Sequence, residues 1–413
     1  MNTLKLTMCA SAAALGLVWA GAAAAQTAAP PPAAATPPAT PAAPAAPTPT
    51  PMANPPVNGP MAANPYPATF EAGPFGKITV DGVLTGLVGY QDPSPTFPGG
   101  ADGNHGFIDL SNAQVIINKS DGVFQFFVEA GAYSLPALGA TYFRATTETP
   151  NTFGYVPAGF VKIVPNSMFS IEAGSLPTLI GDEYNFTFQN MNIERGLLWG
   201  QEPAFSKGVQ ANLSLGQFAF SLAYTDGYYS NVYTAISGSA IYTFKNADTL
   251  AFAAEGNVGH NHISTFVTPP AQNNGQIYNL IFSHTAGPWT ISPYIQYQSN
   301  PRVIGAMGVP LVNSASAWAG AILTKYNFTP ELSLAGRLEY ISTSGHQNLL
   351  FGPGSNAWSF TLTPTYQKGV FFARGEFSYV SIGSGDSIDG DEFGPTGNRG
   401  SQVRVMAETG FDF

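Results

Sequence analysis

The stretch QVRVMAETGFDF, Gln402–Phe413, closes the chain and alternates with a period of two. Val403, Val405, Ala407, Thr409, Phe411 and Phe413 fall on one face of an extended strand, and Gln402, Arg404, Met406, Glu408, Gly410 and Asp412 fall on the other. Successive side chains of a strand point to opposite sides, so one face of this segment suits lipid and the other suits water. The same split recurs in GVFFARGEFSY, where Phe371, Ala373, Phe377 and Tyr379 oppose Phe372, Arg374 and Glu376. In ELSLAGRLEY, Leu332, Leu334, Leu338 and Tyr340 oppose Arg337 and Glu339. Half-buried strands of a soluble sandwich also alternate, so the connections must separate the two architectures.

Short joints stand at 118–122, 165–167, 215–217, 245–248, 286–288, 328–331 and 367–369. Between them lie longer polar segments at 91–105, 134–157, 176–206, 227–233, 260–275, 300–315, 343–355 and 382–400. Alternation of short and long connections is how outer-membrane barrels distribute periplasmic turns and external loops, and a sandwich has no reason to follow it. From Lys77 to the C-terminus the runs number about sixteen, an even count within the bacterial range. The expectation is an all-β, transmembrane antiparallel β-barrel over 77–413 with both ends on the short-turn side. Closure removes exposed strand edges, and a barrel of this size leaves an aqueous lumen. Terminal Phe413, outward on its strand, resembles the signal that barrel-assembly machinery recognises. Tyr90, Tyr133, Tyr242, Phe244, Trp289, Tyr326 and Phe328 are expected in aromatic girdles at the membrane interfaces.

Composition agrees with a membrane barrel. Charged residues make up 10% of the chain, beside 45 Gly and 29 Phe, at a mean hydropathy of only +0.04; soluble domains carry about a quarter charged residues. After Ala25 no apolar run is long enough to span a bilayer as a helix. The first residues carry Lys5 and then an uncharged run, Met8 to Ala25, that ends on three alanines. This reads as a signal peptide over 1–25, hence an exported protein. Cys9, the single cysteine, lies within it, so the processed chain has no thiol. Residues 26–76 are Ala/Pro-rich and read either as a semi-rigid periplasmic spacer or as a tail without a task.

The third long connection contains LPTLIGDEYNFTFQNMNIERGLLWGQEP, and AYTDGYYSNVYTAISGSAIYTF follows it. These segments resemble the OmpL-like β-barrel porin family of Gram-negative bacteria, and the resemblance extends over 77–413. It implies an outer-membrane diffusion channel for small hydrophilic solutes, and it implies no catalytic residue and no cofactor. In sixteen-stranded general porins the third long loop folds into the lumen and narrows it, and here the longest loop has the same ordinal position. Gln189, Asn190 and Asn192 are then expected to bond with the inner wall or water, while Phe186, Phe188, Leu197, Leu198 and Trp199 anchor the loop by burial. Asp182, Glu183, Glu194 and Arg195 are expected to set the field at the constriction. The alternative is a loop that caps the barrel outside, with Glu194 and Arg195 as a structural pair.

Arg337, Arg374 and Arg404 with Glu339, Glu376 and Glu408 are expected on the lumen side of neighbouring late strands, and Asp81, Glu129, Glu172 and Glu255 on the lumen side elsewhere. They create a transverse field or pair with one another across strands. The chain holds 25 acidic against 15 basic residues, which favours cations if enough of the excess lines the pore. Two other readings stay open. A barrel enzyme would use Ser283 with His284, or His260 or His262 with Asp226; a scaffold or adhesion barrel would use the Ala/Pro arm and external loops. His260 and His262 are also a weak metal pair, and Asp386, Asp389, Asp391 and Glu392 read as a solvated acidic loop or a divalent-ion link to lipopolysaccharide. Expected partners are outer-membrane lipid and lipopolysaccharide, the barrel-assembly machinery, small hydrophilic solutes and further copies of the chain, with no nucleic acid.

Overall fold

The computed structural model describes residues 64, 67–94, 105–305, 307–386 and 392–413. The signal peptide, most of the Ala/Pro segment, Asp389 and Asp391 lie outside the described residues. Sixteen strands form the wall: β1 (Lys77–Asp92), β2 (Gly106–Lys119), β3 (Phe124–Tyr133), β4 (Ala158–Ile163), β5 (Phe169–Pro177), β6 (Phe205–Leu215), β7 (Phe218–Thr225) and β8 (Ala235–Thr243) make one half. The other half is β9 (Thr249–Asn257), β10 (Gln276–Ala286), β11 (Trp289–Asn300), β12 (Ala315–Asn327), β13 (Leu332–Gly345), β14 (Asn356–Lys368), β15 (Phe371–Ser384) and β16 (Ser401–Asp412). Each pairs antiparallel with the next, and β16 returns to β1 in a register from Val403↔Asp92 to Asp412↔Val83. The barrel is closed.

Strand β16 shows why this sequence makes a wall. From Gln402 to Phe413 the even-numbered residues are buried, while all the odd-numbered ones but Val403 are exposed. Outward Leu338 is 52% and Val405 49% exposed, whereas inward Arg337 and Glu408 are at 1% and 2%. A membrane strand keeps its apolar side chains on the outside because lipid, not water, is the solvent there. Among the described residues no helix is long and apolar enough to cross a membrane. A short strand, Ala68–Glu71, pairs with the start of β1, so regular pairing begins before Lys77. Phe413 stands beyond β16, 55% exposed, and its backbone exchanges hydrogen bonds with Gly82.

The aromatic girdles form at both rims. At the short-turn end Trp289 meets Tyr326 with ring centroids 4.6 Å apart, and Tyr326 meets Phe328 at 4.9 Å. At the loop end Tyr297 meets Trp318 at 4.4 Å. Tyr133 is a correction: it is fully buried and stands edge-on to Phe186 at 4.9 Å inside the barrel. The physical reason is the period itself, since Tyr133 shares parity with inward Glu129 and Phe127. Close strand approach needs glycine at several positions, Gly131 and Gly174 among them. A Cβ on Gly131 would lie 2.1 Å from the Ala113 carbonyl oxygen and one on Gly174 2.2 Å from that of Gly159, and φ is +152° and +148° respectively.

Candidate functional site: the loop inside the barrel

Alternation places Arg337, Glu339, Arg374, Glu376, Arg404 and Glu408 on the inner face of β13, β15 and β16, all buried. Residues 178–204, the longest connection, run along this charged wall. Irregular backbone has donors and acceptors that no ladder satisfies, and the wall satisfies them. Glu376 accepts hydrogen bonds from the backbone N–H of Ile193 (2.5 Å) and of Glu194 (2.8 Å). Glu339 accepts from Leu197 (3.0 Å) and Leu198 (3.2 Å). Arg374 donates to the carbonyls of Thr187 (2.5 Å) and Asn190 (2.9 Å) while pairing with Glu408 at 2.5 Å. Hydrogen bonds to ionised groups are the stronger kind, so the loop is fastened along its length.

The carboxylates and amides of the loop complete the network. Glu183 pairs with Arg337 at 2.5 Å and accepts the Gly196 N–H. Asn192 donates to Thr363 on β14. Asn190 closes a turn within the loop by accepting the Tyr184 N–H and donating to the carbonyls of Tyr184 and Phe186, and Gln189 accepts the Phe186 N–H. Phe186 and Phe188 are fully buried with Tyr133 and Phe205, and Trp199 packs beside them. This apolar plug removes roughly 2–3 kcal/mol per large side chain from the cost of ordering the loop.

Glu194 and Arg195, expected to help set the field at the constriction, are enclosed. Both are at 0% exposure. Nor are they a pair: Glu194 bonds Arg404 at 2.6 Å and Ser378 at 2.7 Å, while Arg195 lies over the Trp199 ring. Burial pulls the Arg195 guanidinium down to about 10 against the carboxylates of Glu183, Glu408 and Glu194 around it. The reason is a second loop, which periodicity does not reveal. Residues 134–157, with the helix α1 (Ala145–Asn151), also fold inward, and Arg195 forms an isolated parallel bridge with Ala137. From that helix Glu148 approaches Arg195, and burial pushes Glu148 up to about 8. Thr187, Glu148, Gln201 and Glu202 were not singled out in the sequence, because nothing local distinguishes them from ordinary loop polar residues. Thr187 donates to Glu408 and Gln201 to the Leu349 carbonyl.

Two chambers flank the loop. One, about 530 Å³, lies between the loop and the wall from β3 to β10, and its acidic lining is Glu129, Glu172, Asp182 and Glu183. The other, about 540 Å³, includes Asn190, Met191, Lys325, Glu331 and Arg374. Acidic groups therefore predominate on one side of the loop, and both bases of the two linings stand on the other. Glu255 faces inward near Gly227, and Asp81 is buried at the start of β1. Ser283 lines the acidic chamber, but His284 on the opposite face of the strand bonds Asp248 at 2.7 Å, so the two form no dyad. His260 and His262 are exposed, and Asp226 accepts the backbone N–H of Lys207 and Asn231.

A closed sixteen-stranded wall with an inward loop is the architecture of a channel, and the family comparison agrees over the whole barrel. The model of the family described as beta-barrel porin-2, OmpL-like, matches residues 77–413. The chain belongs to this porin family. This porin is accordingly an outer-membrane protein. A search of curated proteins gives no match. Among solved structures it is similar to the outer membrane channel DcaP of Acinetobacter baumannii, at a TM-score of 0.54 and 8% identity over 81% of this chain and 97% of that one. It is also similar to OmpT of Vibrio cholerae in a trimer form (0.53, 10%, 81% and 99%) and to the anion-selective porin of Comamonas acidovorans (0.50, 12%, 81% and 99%). At these identities the likeness concerns the fold alone.

Proposed function

We propose that this porin passes small hydrophilic solutes and ions down their gradients, with residues 178–204 as the constriction and without bond chemistry. The observation that carries the reading is the fastening of the loop backbone to Glu339, Arg374 and Glu376 on the inner wall. Such a loop divides the lumen and leaves solutes the chambers beside it, where radius and field select. Separation of Ser283 from His284 supports a pore rather than a hydrolase. The trimer form of a structural neighbour supports association of copies of this chain, and the amino-terminal sequence supports export across the inner membrane of a Gram-negative cell. Conductance of the refolded protein in a planar bilayer tests the reading. Discrete current steps are expected; a folded barrel that inserts and gives no steps would overturn it.

A further inference from the structure

We propose that the acidic chamber beside the loop is a binding subsite for organic ammonium ions carried on an apolar body. The inference rests on the diffusion pathway above and names a solute class for it. Among the described residues four carboxylates line the chamber, Glu129, Glu172, Asp182 and Glu183, with no lysine or arginine. Two of the four are compensated from behind: Glu172 by Lys162 at 3.4 Å and Glu183 by Arg337 at 2.5 Å. Glu129 is not. It is 1% exposed, its Oε1 accepts no hydrogen bond among the described residues, and its neighbours across the ladder are Ile116 and Ala158, both apolar.

A buried carboxylate that gains no partner from its own wall is costly to keep charged, and a cation entering the chamber supplies the missing charge. The rest of the lining decides what carries that cation. Phe160, Phe205, Ala253 and Ile281 present hydrocarbon, which a hydrated metal ion cannot use and an aryl or alkyl group can. Aromatic faces add attraction for an ammonium. Among the described residues no three acidic or imidazole groups converge as metal ligands. The volume, about 530 Å³, is within the range of small-molecule sites.

The test is calorimetric titration of the refolded full-length protein in detergent with phenethylammonium, against 2-phenylethanol and phenylacetate as neutral and anionic probes of similar shape. Heat-modifiable gel mobility verifies folding of each variant. The amine is expected to bind at least about tenfold tighter than the alcohol, and E129Q to remove that preference. A253F, which fills the chamber without changing a charge, is expected to abolish binding of the amine. Equal affinity for amine and alcohol, or undiminished amine binding in folded E129Q and A253F, would overturn the proposal. Bilayer conductance of the same preparation separates the two claims. Selective binding without current steps retains the subsite and removes the channel; current steps without selective binding do the reverse.

Discussion

Replacing Glu376 by alanine isolates the fastening of the loop from the integrity of the wall. Strand β15 is held to β14 and β16 through backbone ladders that do not involve this side chain, so the barrel is expected to close. What is lost is the acceptor for the N–H groups of Ile193 and Glu194, at 2.5 and 2.8 Å, and for the Thr363 hydroxyl. A hydrogen bond to a charged acceptor contributes about 1.5 kcal/mol at the low end, and the two backbone bonds together give ~3 kcal/mol. That shift changes the equilibrium between fastened and released loop about 100-fold. Glu376→Gln leaves one acceptor oxygen and is expected to shift it roughly tenfold. The assay is single-channel recording in KCl. Deletion of 185–199 defines the conductance of an unobstructed lumen, expected to be about two-fold or more above wild type. Glu376→Ala is expected to visit that higher level far more often than wild type. If the deletion variant folds and keeps the wild-type conductance, the loop is not the constriction and the reasoning fails.

Three other outcomes follow from particular residues. Burial lifts Asp182 to about 7, Ser292 lowering it and Glu183 raising it, while Tyr184, Glu202 and Tyr294 also face it. A carboxylate raised to that value is charged above it and neutral below, so cation preference, read from the reversal potential in a KCl gradient, should fall between pH 8 and pH 6. D182N should flatten this dependence, and an identical slope in the variant would dismiss Asp182 as its source. Deletion of Phe413 removes an outward aromatic and the terminal backbone pair with Gly82; the heat-modifiable fraction in outer membranes should drop, and unchanged insertion would count against an assembly signal. Gly174→Ala forces a Cβ to 2.2 Å from the Gly159 oxygen, while the position on Gly86 is open. G174A should destabilise the barrel by at least about 2 kcal/mol in denaturant unfolding, with G86A near neutral.

The wall was legible because its rule is local. Two-residue alternation assigned the inward face of β13, β15 and β16, and Arg337, Glu339, Arg374, Glu376, Arg404 and Glu408 are buried as that parity requires. Alternation of short and long connections likewise implied an even strand number with both ends on the same rim, and Phe413 meets Gly82 there. Applied consistently, the same parity would have turned Tyr133 inward. Tertiary structure decided the partners. Glu376 reaches Ile193 across 183 positions of chain, and Arg404 reaches Glu194 across 210; such meetings exist because closure brings the last strands beside the lumen into which an earlier loop descends. Enclosure of Arg195, the inward course of residues 134–157 and the division of charge between two chambers depend on that shape. A sequence period records which side of a strand meets lipid, since each residue experiences it independently. The course of a loop is set by the charges and volume the finished barrel presents to it, and these exist only once the barrel has closed.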